Sequence, residues 1–150
     1  MKKLLAITLL LFSINGFVED KPKSFILECR DDWSFFGSPN FEGIAQYYAA
    51  EEILQIKYFP KGRTELKVIN LRYKGYVDVF RSYRFETPDY NEKTEKGFFI
   101  YLNRGTLKIN VTPNEFFYPF NKSTCEKINR KKRDDLLADW KEEAGDVFDI

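Results

Sequence analysis

The sequence predicts a mainly β fold: an antiparallel meander that forms a small barrel or sandwich, with a C-terminal α-helix and one short internal helix. Aromatic residues make up 17% of the 150 residues, and the fifteen Phe and nine Tyr favour pleated, half-buried surfaces. Apolar and polar residues alternate along several short runs, and turn-forming residues separate those runs. The 24 basic and 23 acidic residues nearly cancel, so the charge gives no reason to expect nucleic acid as a partner.

Four runs of alternating side chains predict the first strands of the meander. They cover residues 24–29, 53–59, 65–73 and 76–87. Pro60 and Gly62 predict a turn after the second run, because Pro presets the turn backbone and Gly relaxes it. Lys74 and Gly75 interrupt the pattern between the third and fourth runs, so we expect a strand break there.

Residues 97–111 predict a β-hairpin. Phe98, Ile100 and Leu102 share one face of its first strand, and residues 107, 109 and 111 repeat the pattern on the second. Gly105 ends the predicted three-residue loop, where a positive φ would complete a type I turn with a bulge. Residues 115–120 predict the last strand, and Pro119 favours an edge position or a bend.

Two segments have helical patterns. Residues 41–52 place Ile44, Tyr47 and Tyr48 at a spacing closer to 3.6 than to 2, which predicts the short internal helix. Residues 134–144 place Leu136, Leu137, Trp140 and Ala144 on one face, begin with two acidic residues and are followed by glycine. These features predict the C-terminal helix.

The first sixteen residues have the three-part layout of a secretory signal peptide. Two lysines precede the apolar run from Leu4 to Phe12, and small or polar residues follow up to Gly16. The apolar run is about half as long as a membrane-spanning helix, so we expect cleavage near Gly16 and no stable membrane anchor. The predicted organisation is a signal peptide at 1–16, a disulfide-bracketed β domain at 17–125 and a charged helical tail at 126–150, in a periplasmic or secreted protein.

The two cysteines, Cys29 and Cys125, bracket the predicted β domain. In an oxidising compartment the default expectation for such a pair is a disulfide. Two free thiols, or a metal site that recruits carboxylates, are the alternatives.

The chain has no histidine, which removes the usual serine, cysteine and zinc hydrolase arrangements. No phosphate-binding glycine loop or dinucleotide fingerprint is present in the sequence. We therefore predict no catalytic residues, no metal and no cofactor. Asp31 and Asp32 beside Trp33 form a candidate acid pair next to an aromatic platform for a sugar, and a solvated turn is the preferred interpretation of that segment.

The high aromatic content supports the leading functional hypothesis. In it, the protein is a non-catalytic envelope module that binds a small apolar or glycan ligand or an envelope protein. Filling of the core is the competing explanation for these aromatic residues, because alternation alone does not show which of them face inward. A carboxylate-dependent cell-envelope hydrolase and a periplasmic enzyme inhibitor are the alternative functions. The candidate ligand-binding residues are Trp33, Phe80, Tyr83, Phe85, Phe99 and Tyr101.

The hairpin segment from Tyr101 to Leu107, with Cys29 and Cys125 on a chain that carries a leader, resembles the small exported two-cysteine β-rich proteins of unknown function from AT-rich bacteria. In those proteins the hairpin commonly reads Leu-Asn-Arg, then Thr-Gly, then Leu. This chain has Gly105 before Thr106 and one residue fewer. The resemblance implies a periplasmic β-meander or barrel and no particular activity.

Overall fold

The computed structural model describes residues 21–31, 42–59, 65–113 and 119–148. The predicted signal peptide lies outside these residues. The described chain contains eight strands, a short 3₁₀ turn at Asp78–Phe80 and one α-helix. The strands are β1 (Phe25–Asp31), β2 (Glu42–Tyr48), β3 (Ile53–Tyr58), β4 (Lys67–Val77), β5 (Ser82–Glu86), β6 (Phe99–Asn103), β7 (Ile109–Thr112) and β8 (Ser123–Lys127), and α1 covers Arg130–Phe148.

The eight strands form one antiparallel sheet that curls into a nearly closed barrel. Each strand pairs with the next from β1 to β7, and β8 pairs with β1. Main-chain hydrogen bonds also cross the seam between β7 and β8: the Lys122 N–H donates to the Ile109 carbonyl (2.8 Å), and the Cys125 N–H donates to the Leu107 carbonyl (3.0 Å). The predicted mainly β fold is thus confirmed, in its barrel form.

The interior of the barrel is filled by alternate side chains of the strands. In β3, for example, Leu54, Ile56 and Tyr58 point inward and are buried, while the residues between them are half-exposed. This is the period-2 pattern that a sheet with one covered face requires. At the end of the barrel where β3 stops, Phe120 is fully buried against Tyr58 and Phe98, with ring centroids 5.7 and 6.0 Å away.

The predicted disulfide is present. Cys29 and Cys125 lie directly opposite each other in the register of β1 and β8, and their sulfur atoms are bonded. Both residues are buried. Since they are 96 positions apart in the sequence, the bond joins the first and last strands of the barrel.

The internal helix predicted at 41–52 is wrong, because Glu42–Tyr48 form strand β2. The three successive residues from Gly43 to Ala45 are all buried. A strand covered on both faces loses the alternation that identifies a strand with one solvent face, and its apolar residues then resemble those of a helix.

The strand break predicted at Lys74 and Gly75 is also wrong, because β4 continues to Val77. Its pairing with β5 shifts between Tyr73 and Gly75, and Gly75 has a φ of 134°. Glycine here marks a bulge inside a strand. The chain reverses direction after the end of β4, through the 3₁₀ turn at Asp78–Phe80 and Arg81, whose φ is 47°.

The predicted hairpin at 97–111 is confirmed as β6 and β7, but its loop differs from the prediction. The positive φ of 55° belongs to Leu107 and not to Gly105. The predicted strand at 115–120 lies largely outside the described residues, and Pro119 and Phe120 form a turn. The last strand is instead β8.

The C-terminal helix is confirmed, and it begins four residues before the predicted start. Asn129 precedes it, and its side-chain oxygen accepts a hydrogen bond from the Lys132 N–H (2.8 Å), which is the geometry of an N-cap. The helix packs on the barrel through Trp140, which is 7% exposed and meets Phe59 edge to face at 6.0 Å. Across the described ranges, no helix combines the length and apolar character needed to span a membrane.

Candidate functional site

A cavity of about 280 Å³ lies at the end of the barrel opposite Phe120. It is found where β1 begins and where β6 and β8 end. Its apolar walls come from residues whose side chains belong to the barrel interior or its margin. These are Phe25, Leu27, Tyr83, Leu102 and Leu107.

The loop between β6 and β7 forms one rigid wall of this cavity. The Asn103 side-chain oxygen accepts hydrogen bonds from the main-chain N–H groups of Gly105 (2.8 Å) and Thr106 (2.9 Å). The Leu107 N–H donates to the Asn103 carbonyl at 2.9 Å, and the Arg104 N–H donates to the Arg81 carbonyl at 2.8 Å. Asparagine commonly organises turns in this way. The loop therefore holds Arg104 and Leu107 in place at the cavity.

The segment before β1 covers part of the same end of the barrel. Pro22, Lys23 and Ser24 line the cavity, and Pro22 is buried. The Ser24 hydroxyl accepts a hydrogen bond from the Ala49 N–H (2.9 Å), and Lys21 forms an ion pair with Glu52. These contacts tie the segment to the connection between β2 and β3, so it forms a strap across the barrel end.

An aromatic cluster fills the barrel beside the cavity. Tyr47 stacks on Phe25 with ring centroids 5.4 Å apart and meets the edge of Phe85 at 5.6 Å. The Tyr47 hydroxyl is buried and has no hydrogen-bond partner among the described residues. Burial, with a contribution from the negative charge of Glu52, raises the pKa of this hydroxyl. The Tyr47 hydroxyl therefore stays neutral, and the cluster reaches the cavity through Phe25, which lines it.

Five of the six aromatic residues proposed from sequence lie within the described residues, and they divide between the two faces of the barrel. Tyr83 lines the cavity, and Phe85 is fully buried in the interior. Phe80, Phe99 and Tyr101 are instead packed together on the outer face of β5 and β6, with successive ring centroids 5.3 Å apart. Trp33 lies outside the described residues.

The outer aromatic cluster is covered in part by Arg84. The guanidinium carbon lies 3.8 Å from the centre of the Phe99 ring, and Arg84 also pairs with Glu86 at 2.9 Å. Cation–π packing and an ion pair together hold this arginine on the surface. Phe80 remains 56% exposed, and its neighbour Val79 is 87% exposed at the tip of the connection from β4 to β5.

A buried carboxylate lies on the outer face of β1, under the start of α1. Glu28 is 4% exposed and pairs with Arg30 (2.8 Å) and Lys132 (3.0 Å). Burial alone would raise the pKa of the Glu28 carboxyl, but the hydrogen bonds and positive charges of Arg30 and Lys132 outweigh it and hold the pKa below its usual value. An ionised carboxylate held by two cations is suited to docking a helix and not to general acid catalysis.

Asp31 ends β1, but its side chain, Asp32 and Trp33 lie outside the described part of the chain. Within that part, no group of three or more Cys, Asp or Glu side chains is arranged to hold a metal ion.

The sequence prediction missed most of the cavity wall. Alternation correctly placed Leu102 on an apolar face of the hairpin, but such a pattern does not show which strands meet at one end of a barrel. The cationic residues at the cavity, Lys23, Arg104 and Lys127, had no recognisable motif. Their assembly depends on the closure of β8 against β1.

Comparisons of the chain with protein-family models, with curated proteins and with solved structures find no match. Function is therefore inferred from the cavity and its chemistry.

Proposed function

We propose that this protein is a non-catalytic binding protein that holds one small, largely apolar ligand at the open end of its barrel. The cavity of about 280 Å³ is the observation that carries the proposal. Eight-stranded barrels have interiors that are either filled by side chains or hold one small ligand. This chain combines the two: side chains fill the end of the barrel at Phe120, and the cavity lies at the opposite end.

The size of the cavity limits the ligand. Typical ligand pockets measure about 300–1,000 Å³, so this cavity is at the small end of the range. A short alkyl chain or a single ring fits this volume, whereas an oligosaccharide does not.

The proposal includes an oxidising compartment, either the periplasm or the outside of the cell. The Cys29–Cys125 disulfide supports it, because such bonds persist where thiols are not kept reduced. The predicted leader supports it as well. The alternative, a carboxylate-dependent hydrolase, is supported only by the sequence, because Asp32 and Trp33 lie outside the described residues.

Native mass spectrometry of the protein purified from its own compartment tests the proposal. We expect an adduct of small mass that organic solvent removes. Tyr83→Trp adds bulk to the cavity wall and should abolish the adduct, whereas Val68→Trp on the exposed surface of β4 should retain it. An adduct that survives equally in both variants, or no adduct together with no binding of short-chain alcohols, would reject the proposal.

A second candidate function is contact with a protein partner, as in an inhibitor. The exposure of Val79 and Phe80 at the tip of one connection favours it, because large apolar side chains in such positions often mark interaction sites. A photo-cross-linking residue at position 79 should then form one discrete adduct in cells, and the same residue at position 68 should form none. Equal cross-linking at both positions would exclude a specific contact.

A further inference from the structure

The residues at the cavity mouth carry charge of one sign. Lys23, Arg104 and Lys127 line the cavity, and the described lining contains no aspartate or glutamate. The whole chain carries a formal charge of only +1, so its composition does not explain three cations at one opening. The cavity beside Tyr90 shows the contrast, because Glu92, Glu95 and Lys96 line it together.

The three cations come from separate parts of the chain. Lys23 belongs to the strap before β1, Arg104 to the loop after β6, and Lys127 to the end of β8. The Arg104 main chain is fixed by its hydrogen bond to Arg81, and the β1–β8 ladder extends past Lys127 through the Ile128 N–H, which donates to the Ile26 carbonyl at 3.0 Å. The positive charge is therefore attached to rigid backbone around the opening.

Neither Lys23 nor Lys127 has a carboxylate partner among the described residues, in contrast to Lys132 on the helix. Several like charges around an opening with apolar walls concentrate the electric field in the cavity mouth and attract a ligand of opposite charge. A ligand that satisfies both the walls and the rim has an apolar part for the interior and one anionic group for the mouth.

We propose that the ligand is a small anionic amphiphile, such as a short-chain carboxylate, whose apolar end enters the barrel and whose anionic head faces Lys23, Arg104 and Lys127. This inference rests on the proposed binding function and specifies its ligand class. A cationic head would meet three like charges, and a neutral head would gain nothing from them.

Titration of the full mature chain with three octyl compounds tests the inference. Octanoate, octanol and octyltrimethylammonium share the apolar chain and differ in the charge of the head. We expect octanoate to bind about tenfold more tightly than octanol, the combined effect of three partly screened surface charges, and the cation to bind most weakly. The preference for octanoate should fall as salt is raised to about 0.15 M, where charges are screened beyond about 8 Å.

Charge-reversal variants assign the effect to the cavity mouth. Lys23→Glu with Lys127→Glu should remove the preference for octanoate while octanol still binds, which also shows that the cavity remains folded. Lys131→Glu, on the exposed side of α1, makes a similar charge change away from the cavity and should leave the preference intact.

The outcomes separate the two proposals. If none of the octyl compounds binds, the proposed binding function fails. If all three bind equally, or the cation binds best, the cavity binds ligand but the anionic class is wrong. A last measurement tests binding of the chain to vesicles of anionic phosphatidylglycerol, with octanoate as competitor. If the vesicles bind and octanoate does not compete, the cations contact a membrane surface and the inference is overturned.

Discussion

Lys132, in the first turn of α1, reaches the buried carboxylate of Glu28 on β1, with 3.0 Å between the ammonium nitrogen and Oε2. The same ammonium lies 3.5 Å from Glu126 on β8. A single lysine thus links the helix to the strands that carry the disulfide. Its hydrogen bond to Glu28 raises the pKa of the Lys132 ammonium, as expected for a cation that gains an anionic partner.

The pairing of Lys132 with Glu28 predicts an acid-sensitive contribution to stability. Because the folded-state pKa of Glu28 is lowered, this contribution is present above the ordinary value of 4.5 and is lost as pH falls through the folded-state pKa. Lys132→Met should raise the pKa of Glu28, measured by NMR titration of its carboxyl carbon, and should move acid unfolding to higher pH. Lys131→Met is the matched control, and an equal shift in both variants would contradict the assignment.

Removal of the disulfide should destabilise the barrel substantially. In the chain-entropy model a loop of about 100 residues contributes roughly 4–5 kcal/mol, and losses of native disulfides commonly cost about 2–5 kcal/mol. In urea titrations, the double variant Cys29→Ala with Cys125→Ala should have a free energy of unfolding about 2–5 kcal/mol lower than that of the wild type. The wild-type chain under reducing conditions should behave in the same way. A loss below about 1 kcal/mol would mean that the unfolded chain is already compact.

Truncation of Trp140 should release the helix and leave the barrel intact. Trp140 supplies the buried apolar contact of α1 with Phe59. In Trp140→Ala, we expect the amides of α1 to exchange at least about tenfold faster, while those of β3 and β4 keep their protection. Asp139→Ala, at the exposed neighbouring position, should change neither. Loss of protection throughout the sheet would show that helix and barrel unfold as one unit.

Gly97 should not tolerate a side chain. Its φ is 68°, and a Cβ there would lie 2.7 Å from an Asp89 carboxylate oxygen and 2.8 Å from the Tyr90 Cα atom. Gly97→Ala should cost about 1–3 kcal/mol. At Gly105 the nearest atom to a Cβ is 3.5 Å away, so Gly105→Ala should change stability by less than about 0.5 kcal/mol. Chemical denaturation of the two variants measures the difference, and equal values would contradict this account.

Tyr47→Phe should preserve or increase stability. The Tyr47 hydroxyl is buried without a partner among the described residues, and a buried polar group without a hydrogen bond is unfavourable. We expect a gain between zero and about 1 kcal/mol in the thermal unfolding of the variant. Tyr48→Phe, at the exposed adjacent position, should be neutral. A clear loss for Tyr47→Phe would reveal a bound partner for the hydroxyl.

β3 was predicted correctly because one of its sides faces solvent. In β3, Leu54 and Ile56 alternate with half-exposed residues, and the pattern is visible in the sequence. β2 was missed because Ile44 and Ala45 are buried on opposite faces. β8 was missed because its sequence, Ser-Thr-Cys-Glu-Lys, has little apolar character, although Ser123 is fully buried. Its strand structure depends on pairing with β1, which no local pattern encodes.

The candidate site was only partly predictable for the same reason. Tyr83 and Tyr101 are the same residue type on neighbouring strands, yet Tyr83 lines the cavity and Tyr101 lies on the outer surface. Which face each takes follows from the pairing of β5 with β6. The cavity itself combines the start of β1, the end of β8 and the loop after β6, which become neighbours only when the barrel closes.

The position of the disulfide also bears on how the chain matures. A ribosome releases the chain from its N-terminus, so Cys29 is available early, but its partner appears only after seven strands have been made. With two cysteines in the whole sequence, an oxidase has no wrong intramolecular pairing to form and no isomerase is needed to correct one. Covalent locking of this barrel is therefore a single late event, and the first seven strands must find their neighbours without it.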